Sequence, residues 1–114
     1  MIIGFHDNNI NKYCNNSLAA RKAFGAKVEK KLLIRLAELK AAEHLGEISN
    51  FPPTRRHKLT GDYSGCYAIN LTEKWRLIFY PCDDDGNCIE VSDETSISSI
   101  QMIIILEVSN HYGD

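Results

Sequence analysis

The chain lacks the features that would assign it at once to a membrane, secreted or low-complexity class. No apolar run approaches the length of a membrane span, and the first residues, MIIGFHDNN, show no basic region followed by a long apolar one. No internal repeat or compositionally biased segment is visible. The 44% hydrophobic and 25% charged fractions are ordinary for a globular protein, and 114 residues suit a single core. Together with the missing span and signal, this leads us to expect one cytoplasmic domain over residues 1–114.

Metal and redox motifs are missing too. The four cysteines, Cys14, Cys66, Cys82 and Cys88, form no CxxC pair, and the last two are too far apart for a zinc knuckle. We therefore expect free thiols in a reducing compartment. The acidic run at residues 83–85 lacks regular ligand spacing, which favours a solvated loop over a cation site. No metal or other cofactor is expected.

Common catalytic signatures are absent, but the charge distribution is informative. There is no Gly-rich phosphate loop, HExxH helix, GxSxG turn or clear pair of carboxylates. Residues 1–60 hold eleven Lys and Arg against five Asp and Glu, whereas residues 61–114 hold two against ten. A basic half indicates an acidic partner such as nucleic acid, although lysines on a solvated helix face would produce the same count.

Hydrophobic periodicity predicts a strand, then helices, then three or four strands. Residues 18–44 follow a helical period, and Gly25 favours either two antiparallel helices or one kinked helix. The predicted strands are residues 1–5, 56–59, 65–71, 74–80 and 100–108, with a short helix at 10–14. We expect an α+β fold in which the N-terminal strand and two helices pack on a small, mostly antiparallel sheet.

Two further expectations concern the C-terminal half. The last strand, residues 100–108, is almost continuously apolar, which predicts burial on both faces. Residues 82–99 are polar and acidic, and we expect them to form an exposed, peripheral insertion with a small hairpin arm at 88–91.

Cations and histidines near predicted strand ends are the candidate site residues. Arg55, Arg56, His57 and Lys58 stand at the start of one predicted strand, and Arg76 stands near the start of another. His111 and Tyr112 follow the last predicted strand. Neighbouring strands can bring such residues together on one small region of sheet. Histidine exchanges protons near neutral pH, and a guanidinium matches phosphate oxygens. Since RNA supplies its own 2′-hydroxyl nucleophile, this set predicts cleavage of a phosphodiester without a metal.

Four short motifs in this order resemble a known family. They are PTRRHKLTGD at residues 53–62, YAIN at 67–70, KWRLIF at 74–79 and EVSNHY at 107–112. The chain resembles the RelE/ParE superfamily of toxins from bacterial type II toxin–antitoxin modules, and most of all its HigB or plasmid maintenance killer branch. Residues 36–48, LAELKAAEHLGEI, look like that branch's second helix, so the likeness covers nearly the whole chain.

The resemblance implies a ribosome-dependent mRNA endonuclease that a cognate HigA-like helix-turn-helix antitoxin neutralises. Operator DNA would be bound only through the antitoxin complex, and no membrane would be involved. Matched by position, His57 and His111 would transfer protons, and Arg76 would stabilise the phosphate charge. Substrate contacts would come from the neighbouring side chains of Arg55, Arg56, Lys58 and Tyr112.

Two alternatives stay open, and departures from the family pattern favour the second of them. A lysine common before the Gly-Asp turn is Thr60 here, and the Asp-Tyr that usually precedes the last histidine is Ser109-Asn110. A gyrase inhibitor of the ParE type is one alternative, although that branch tends to lack this histidine set. A toxin homologue that retains only antitoxin binding is the other.

Overall fold

The computed structural model describes residues 1–110, with the backbone alone at Glu94, and shows an α+β architecture. Helices lie on one face of a five-stranded mixed sheet. The elements in chain order are β1 (Ile2–Phe5), α1 (Asn8–Asn15), α2 (Ser17–Phe24), α3 (Ala26–Ala41), β2 (His57–Lys58), β3 (Tyr67–Asn70), β4 (Arg76–Cys82) and β5 (Met102–Ser109), with short 3-10 helices at Leu45–Glu47, Gly61–Tyr63 and Glu94–Ser99.

The sheet order is β1-β5-β4-β3-β2. The β1 strand runs parallel to β5, and every other neighbouring pair is antiparallel. The predicted α+β class with a mostly antiparallel sheet is therefore confirmed. The β2 strand is only two residues long, shorter than the predicted 56–59.

Short polar side chains and one glycine determine where the helices begin and end. Asp7 caps α1 by accepting from the Ile10 N–H at 3.0 Å, and Asn16 caps α2 by accepting from the Ala19 N–H at 3.1 Å. Gly25 separates α2 from α3 with φ of 93°, a left-handed conformation that favours glycine. Of the two arrangements left open by the sequence, two separate helices packed on each other is the one observed.

The main core fills the space between the helices and the sheet. Leu32, Leu36 and Leu39 of α3 are buried with Phe79 of β4 and Ile105 of β5 in one apolar cluster. They occupy one stripe of the helix, as the i, i+4 and i+7 spacing predicts. Burial of this stripe fixes which face of the sheet the helices cover.

A second, smaller cluster lies on the face of the sheet away from the helices, called the outer face below. Ala68 of β3 and Ile78 of β4 are buried there under Leu59 and Cys66, with Tyr63 packed against them. The segment between β2 and β3 therefore covers part of the outer face. The rest of that face carries half-buried apolar side chains of β5 and the polar side chains at the ends of β2, β3 and β4.

The prediction that the last strand is buried on both faces was wrong. Ile103 and Ile105 have no exposed surface, but Met102, Ile104 and Leu106, which alternate with them, are half-buried. Successive side chains of a strand point to opposite faces. Since the outer face has only a partial cover, the residues on that side keep contact with solvent.

The acidic insertion is exposed at most of its described positions, as predicted, but it is not peripheral throughout, because two of its apolar side chains are buried. Its first part is a tight turn in which the Asp83 carboxylate accepts from the N–H groups of Asp85 and Asn87 at 3.0 and 2.9 Å. Its later part returns to the protein, where Val91 and Ile97 are 3% and 2% exposed. Burial of these apolar side chains draws the chain between them against the body of the domain.

Candidate active site

Strand register brings His57 and Arg76 to the same face of the sheet. His57 lies opposite Ala68, Ala68 lies opposite Ile78, and Arg76 is two residues before Ile78 on β4. Paired residues, and residues two apart on a strand, share a face, so both side chains belong to the outer face. A strand spacing of ~4.8 Å and a rise of ~3.4 Å per residue place their Cα atoms roughly 12 Å apart. An arginine side chain and a bound phosphodiester can together span that gap.

The His57 ring is held in a defined orientation. Its Nδ1 lies 2.8 Å from the Arg55 carbonyl oxygen. Because a carbonyl can only accept, Nδ1 carries the hydrogen in this contact, and the neutral ring has its lone pair at Nε2. That nitrogen lies 3.5 Å from the Arg55 guanidinium. The ring is thus arranged to accept a proton at Nε2, beside a positive charge.

An unusual backbone conformation at Arg55 creates this contact. Arg55 has φ of 49°, in the left-handed region, which costs about 1 to 2 kcal/mol for a residue with a side chain. Backbone hydrogen bonds hold the turn in place: the Arg55 N–H donates to Phe51 at 2.8 Å, and the Asn70 N–H donates to Thr54 at 2.8 Å. Strained residues that their surroundings enforce are frequent at functional sites. Nothing in the sequence signalled this one, because arginine has no preference for that conformation.

Arg76 opens β4 between two polar residues on neighbouring strands, Asn70 of β3 and Ser109 of β5. It is half-buried, whereas Ser109 is buried. The backbone beneath it is braced from the helix side, where the buried Arg35 donates from Nε to the Asn70 carbonyl at 2.9 Å and pairs with Glu38 at 2.7 Å. The backbone next to Arg76 is therefore held firmly in the sheet.

Asn70 is a site residue that the sequence reasoning missed. Its side-chain oxygen is buried, and within residues 1–110 it has no hydrogen-bond partner. A buried acceptor without a donor costs free energy, so such groups call for an explanation. Asn70 shares the outer face with His57 and Arg76, and it offers an amide that a bound ligand can satisfy. No sequence signal could have found it, since its role depends on strand pairing.

The cationic cluster does not converge on one patch as predicted, because neighbouring side chains of β2 point to opposite faces. His57 faces the outer side, while Lys58 is paired with Tyr67, whose ring packs in the core on the helix side. The Lys58 ammonium donates to the Val91 carbonyl of the acidic insertion. Arg56 is only 7% exposed and donates from Nε to the Ile48 carbonyl at 2.9 Å.

A cleft of about 230 Å³ at the edge of the sheet nevertheless collects several of these residues. Arg56, His57 and Lys58 line it together with Ser92 and Asp93 from the insertion. Hydrogen bonds from the Thr95 and Ser96 hydroxyls and from the Ser96 N–H lower the pKa of Asp93. The insertion therefore contributes a carboxylate to the same cleft as the cations.

Tyr63 and Glu107 add a polar contact on the outer face. The Tyr63 hydroxyl donates to the Glu107 carboxylate, and this bond is the main reason that the pKa of Tyr63 rises to about 12. Glu107 of β5 is paired with Ile78. The contact ties the segment between β2 and β3 to β5, across the strand that carries Arg76.

The other predicted site residues, His111 and Tyr112, lie outside the described residues. The strand that precedes them ends at Ser109, which is paired with Arg76. Their predicted roles stay predictions. Within residues 1–110, no helix is long and apolar enough to cross a membrane.

Superposition on solved structures identifies the fold as that of the RelE/ParE-type toxins. The chain matches a YoeB/ParE toxin from Agrobacterium tumefaciens over 98% of its own length and 100% of that chain, with a TM-score of 0.59 and 12% identity. It also matches a chain of a YoeB-YefM complex from Staphylococcus aureus over 98% of its own length and 98% of that chain, with a TM-score of 0.56 and 17% identity.

A YoeB dimer from Staphylococcus aureus is a third structure with this fold, with a TM-score of 0.55, 18% identity and 98% coverage of both chains. No family model and no curated protein sequence matches the chain. At these low identities the likeness concerns the fold alone.

Proposed function

We propose that this protein is the toxin of a type II toxin–antitoxin module and acts as a ribosome-dependent mRNA endonuclease in the cytoplasm. The observation that carries the proposal is the placement of His57 and Arg76 on one open face of a toxin-type sheet. The sequence motifs that resemble the HigB branch lie on the same strands. That finer assignment rests on the motifs, since the structural neighbours are YoeB toxins.

The chemistry follows from the side chains. His57 accepts the proton of the ribose 2′-hydroxyl at Nε2, because its Nδ1 hydrogen is engaged by the Arg55 carbonyl. The 2′-oxygen attacks the adjacent phosphorus, and the bond from phosphorus to the 5′-oxygen breaks, leaving a 2′,3′-cyclic phosphate. His111 returns a proton to the leaving 5′-oxygen. Arg76 offers a planar set of donors to the phosphate oxygens as their charge increases.

Substrate binding is assigned to the side chains around this centre. The Arg55 guanidinium lies next to the His57 ring and can contact the same phosphate. Lys58 and Arg56 line the adjoining cleft, where the flanking nucleotides would run. Tyr112 would stack on a base. The lysines of α2 and α3 provide a basic surface for ribosomal RNA.

Replacing His57 with glutamine is expected to reduce mRNA cleavage by about 100- to 10,000-fold, the usual contribution of a proton-transfer residue. Glutamine keeps the size and polarity but cannot accept a proton. Primer extension on ribosome-engaged mRNA measures the effect as loss of codon-spaced cuts. The matched control is His6→Gln, because His6 is exposed at the far edge of the sheet. Cleavage at the wild-type rate by His57→Gln would remove His57 from the mechanism.

We further propose that the antitoxin docks on the solvent side of α3. Leu33 and Ile34 are 47% and 40% exposed, and the exposed Ala37 lies one turn beyond Leu33. Exposed lysines, among them Lys27 and Lys30, flank this apolar patch. An amphipathic segment with apolar residues at helical spacing and acidic flanks complements it in shape and charge. A HigA-like helix-turn-helix protein with such a segment is the proposed partner.

Changing Leu33 and Ile34 together to glutamate is expected to weaken the antitoxin complex by about 30-fold or more, since it places charge in the centre of the apolar patch. The affinity is measured by titration calorimetry with an inactive His57→Gln toxin. Ile2→Glu is the control, because Ile2 is 66% exposed on the edge strand β1. Unchanged affinity in the double variant would locate the antitoxin elsewhere.

The two alternatives predict different outcomes on induced expression. A gyrase inhibitor would leave translation running while DNA damage accumulates. A homologue that retains only antitoxin binding would be harmless. Arrested translation with cut mRNA is the result expected from the proposed nuclease.

A further inference from the structure

Three of the four cysteines lie close together, and none of them is among the residues of the proposed active site. Cys66 immediately precedes β3, Cys82 is the last residue of β4, and Cys88 follows the acidic turn. Cys66 and Cys82 are buried, whereas Cys88 is exposed. Proximity of Cys88 contributes to raising the pKa of both Cys66 and Cys82, after the larger effect of burial. Within residues 1–110, no three Cys, His, Asp or Glu side chains are arranged to hold a metal ion.

Backbone geometry places Cys82 directly opposite Cys88. The two residues form an isolated antiparallel bridge. The hydrogen bonds around it run from the Asp83 N–H to the Asn87 carbonyl at 2.9 Å and from the Ile89 N–H to the Pro81 carbonyl at 3.1 Å. These bonds flank the cysteines, which are therefore a non-hydrogen-bonded pair, with Cα atoms about 4.5 Å apart and side chains on the same side.

That separation falls inside the range of disulfide-linked residues, whose Cα atoms lie about 4.4 to 6.8 Å apart. Forming the bond requires side-chain rotation with little backbone movement. Cys66 has no such pairing with Cys88. It follows Gly65 at the start of β3, and its nearest neighbour on β4 is Tyr80, since Tyr67 is paired with Phe79. The geometry thus favours one pair among the three thiols.

We propose that Cys82 and Cys88 form an intramolecular disulfide when the protein meets a hydroperoxide. The exposed Cys88 thiolate attacks a peroxide oxygen, the O–O bond breaks, and Cys88 becomes a sulfenic acid as one hydroxide or alkoxide leaves. Cys82 then gives up its proton and attacks the Cys88 sulfur. The S–O bond breaks, and the departing hydroxide takes the proton to become water. The two thiols supply the two electrons that reduce one hydroperoxide.

Oxidation would restrain the insertion that forms one wall of the cleft. The disulfide closes a ring around the turn of residues 83–87. Val91, three residues after Cys88, accepts the hydrogen bond from Lys58, and Ser92 and Asp93 line the same cleft as the cations. A cross-link at Cys88 limits how far this segment can move from β2. The site is therefore a redox modification site whose effect reaches the cleft, whether or not the protein cleaves RNA.

The test uses the full-length protein, treated with a stoichiometric amount of hydrogen peroxide and then alkylated under denaturing, non-reducing conditions. The chain must be cleaved between the two cysteines so that the linked peptides can be recognised. Residues 77–114 contain no Lys or Arg for trypsin, but residues 83–85 are three aspartates between the cysteines, so a protease that cleaves before aspartate is used. Mass spectrometry is expected to show Cys82 linked to Cys88. Only two of the four cysteines are expected to carry the alkyl group, because the disulfide protects the other two.

Variants separate this pair from its competitors. Cys66→Ser and Cys14→Ser are expected to leave the disulfide unchanged. Cys82→Ser is expected to leave Cys88 as a sulfenic acid that dimedone traps, and the exposed Cys88→Ser is expected to leave Cys82 reduced. A Cys66–Cys88 link, a dimer joined through Cys88, or four alkylated thiols after treatment would each overturn the proposal. These measurements do not depend on any nuclease activity.

Discussion

Replacing Arg76 with alanine is expected to abolish growth arrest and to reduce mRNA cleavage by about 100- to 1,000-fold. This is the usual cost of removing one donor to a charged transition state. Arg76 begins β4 beside Asn70 and Ser109 on the face that carries His57. The Arg35 hydrogen bond to the Asn70 carbonyl holds the backbone beside Arg76 in place. Induced expression, followed by primer extension on ribosome-engaged mRNA, measures both effects.

Two further variants show whether Arg76 acts through its charge or its shape. Arg76→Lys keeps the positive charge but loses the planar set of donors, so we expect partial activity between alanine and the wild type. Lys74→Ala removes an exposed cation two residues away and is expected to have little effect. Equal thermal unfolding of these proteins excludes a folding defect. Full toxicity of Arg76→Ala would contradict the proposed catalytic role.

Replacing Phe79 with alanine is expected to lower the free energy of unfolding by about 3 to 5 kcal/mol. Phe79 has no exposed surface, and its ring stacks on Tyr67 with centroids 6.2 Å apart and planes inclined by 16°. It lies at the centre of the core between β4 and the helices. Domains of this kind are stable by about 5 to 15 kcal/mol in total, so the variant is expected to lose a large share of its stability.

Urea denaturation measures this effect. The same substitution at Phe51 serves as the control, because Phe51 is 73% exposed and its removal creates no cavity. We expect Phe51→Ala to unfold at the wild-type midpoint. Equal midpoints for the two variants would show that the core between helices and sheet does not depend on Phe79. If Phe79→Ala has the expected lower midpoint, a loss of toxicity in this variant reports unfolding rather than chemistry.

Local features of the chain were sufficient to predict most of the elements. The apolar stripe of α3 depends on residues within one or two turns of each other. Gly25 was correctly identified as a break, because the left-handed conformation there needs a glycine. The order of a strand, helices and further strands then leaves few ways to bury the apolar stripe, which is why the fold class was predictable.

The candidate site was only partly predictable. Residue types and the family resemblance made His57 and Arg76 candidates, and the strand pairing places both on the outer face. The expected convergence of the cations was wrong, because Lys58 takes the other face of β2 and Arg56 is buried. Asn70 was missed, since a single asparagine at the end of a strand has no distinctive signal.

By itself, the sequence determined the helices, the strands, the fold class and the types of residue available for phosphate chemistry, because these depend on neighbouring residues and on composition. Only the tertiary structure decided which side chains lie on the same face of the sheet, because this depends on the register between strands that are distant in sequence. It also decided that Val91 and Ile97 draw an acidic insertion onto the cleft and that Cys82 meets Cys88. The insertion packs there because burying its two apolar side chains outweighs the polarity of the residues around them.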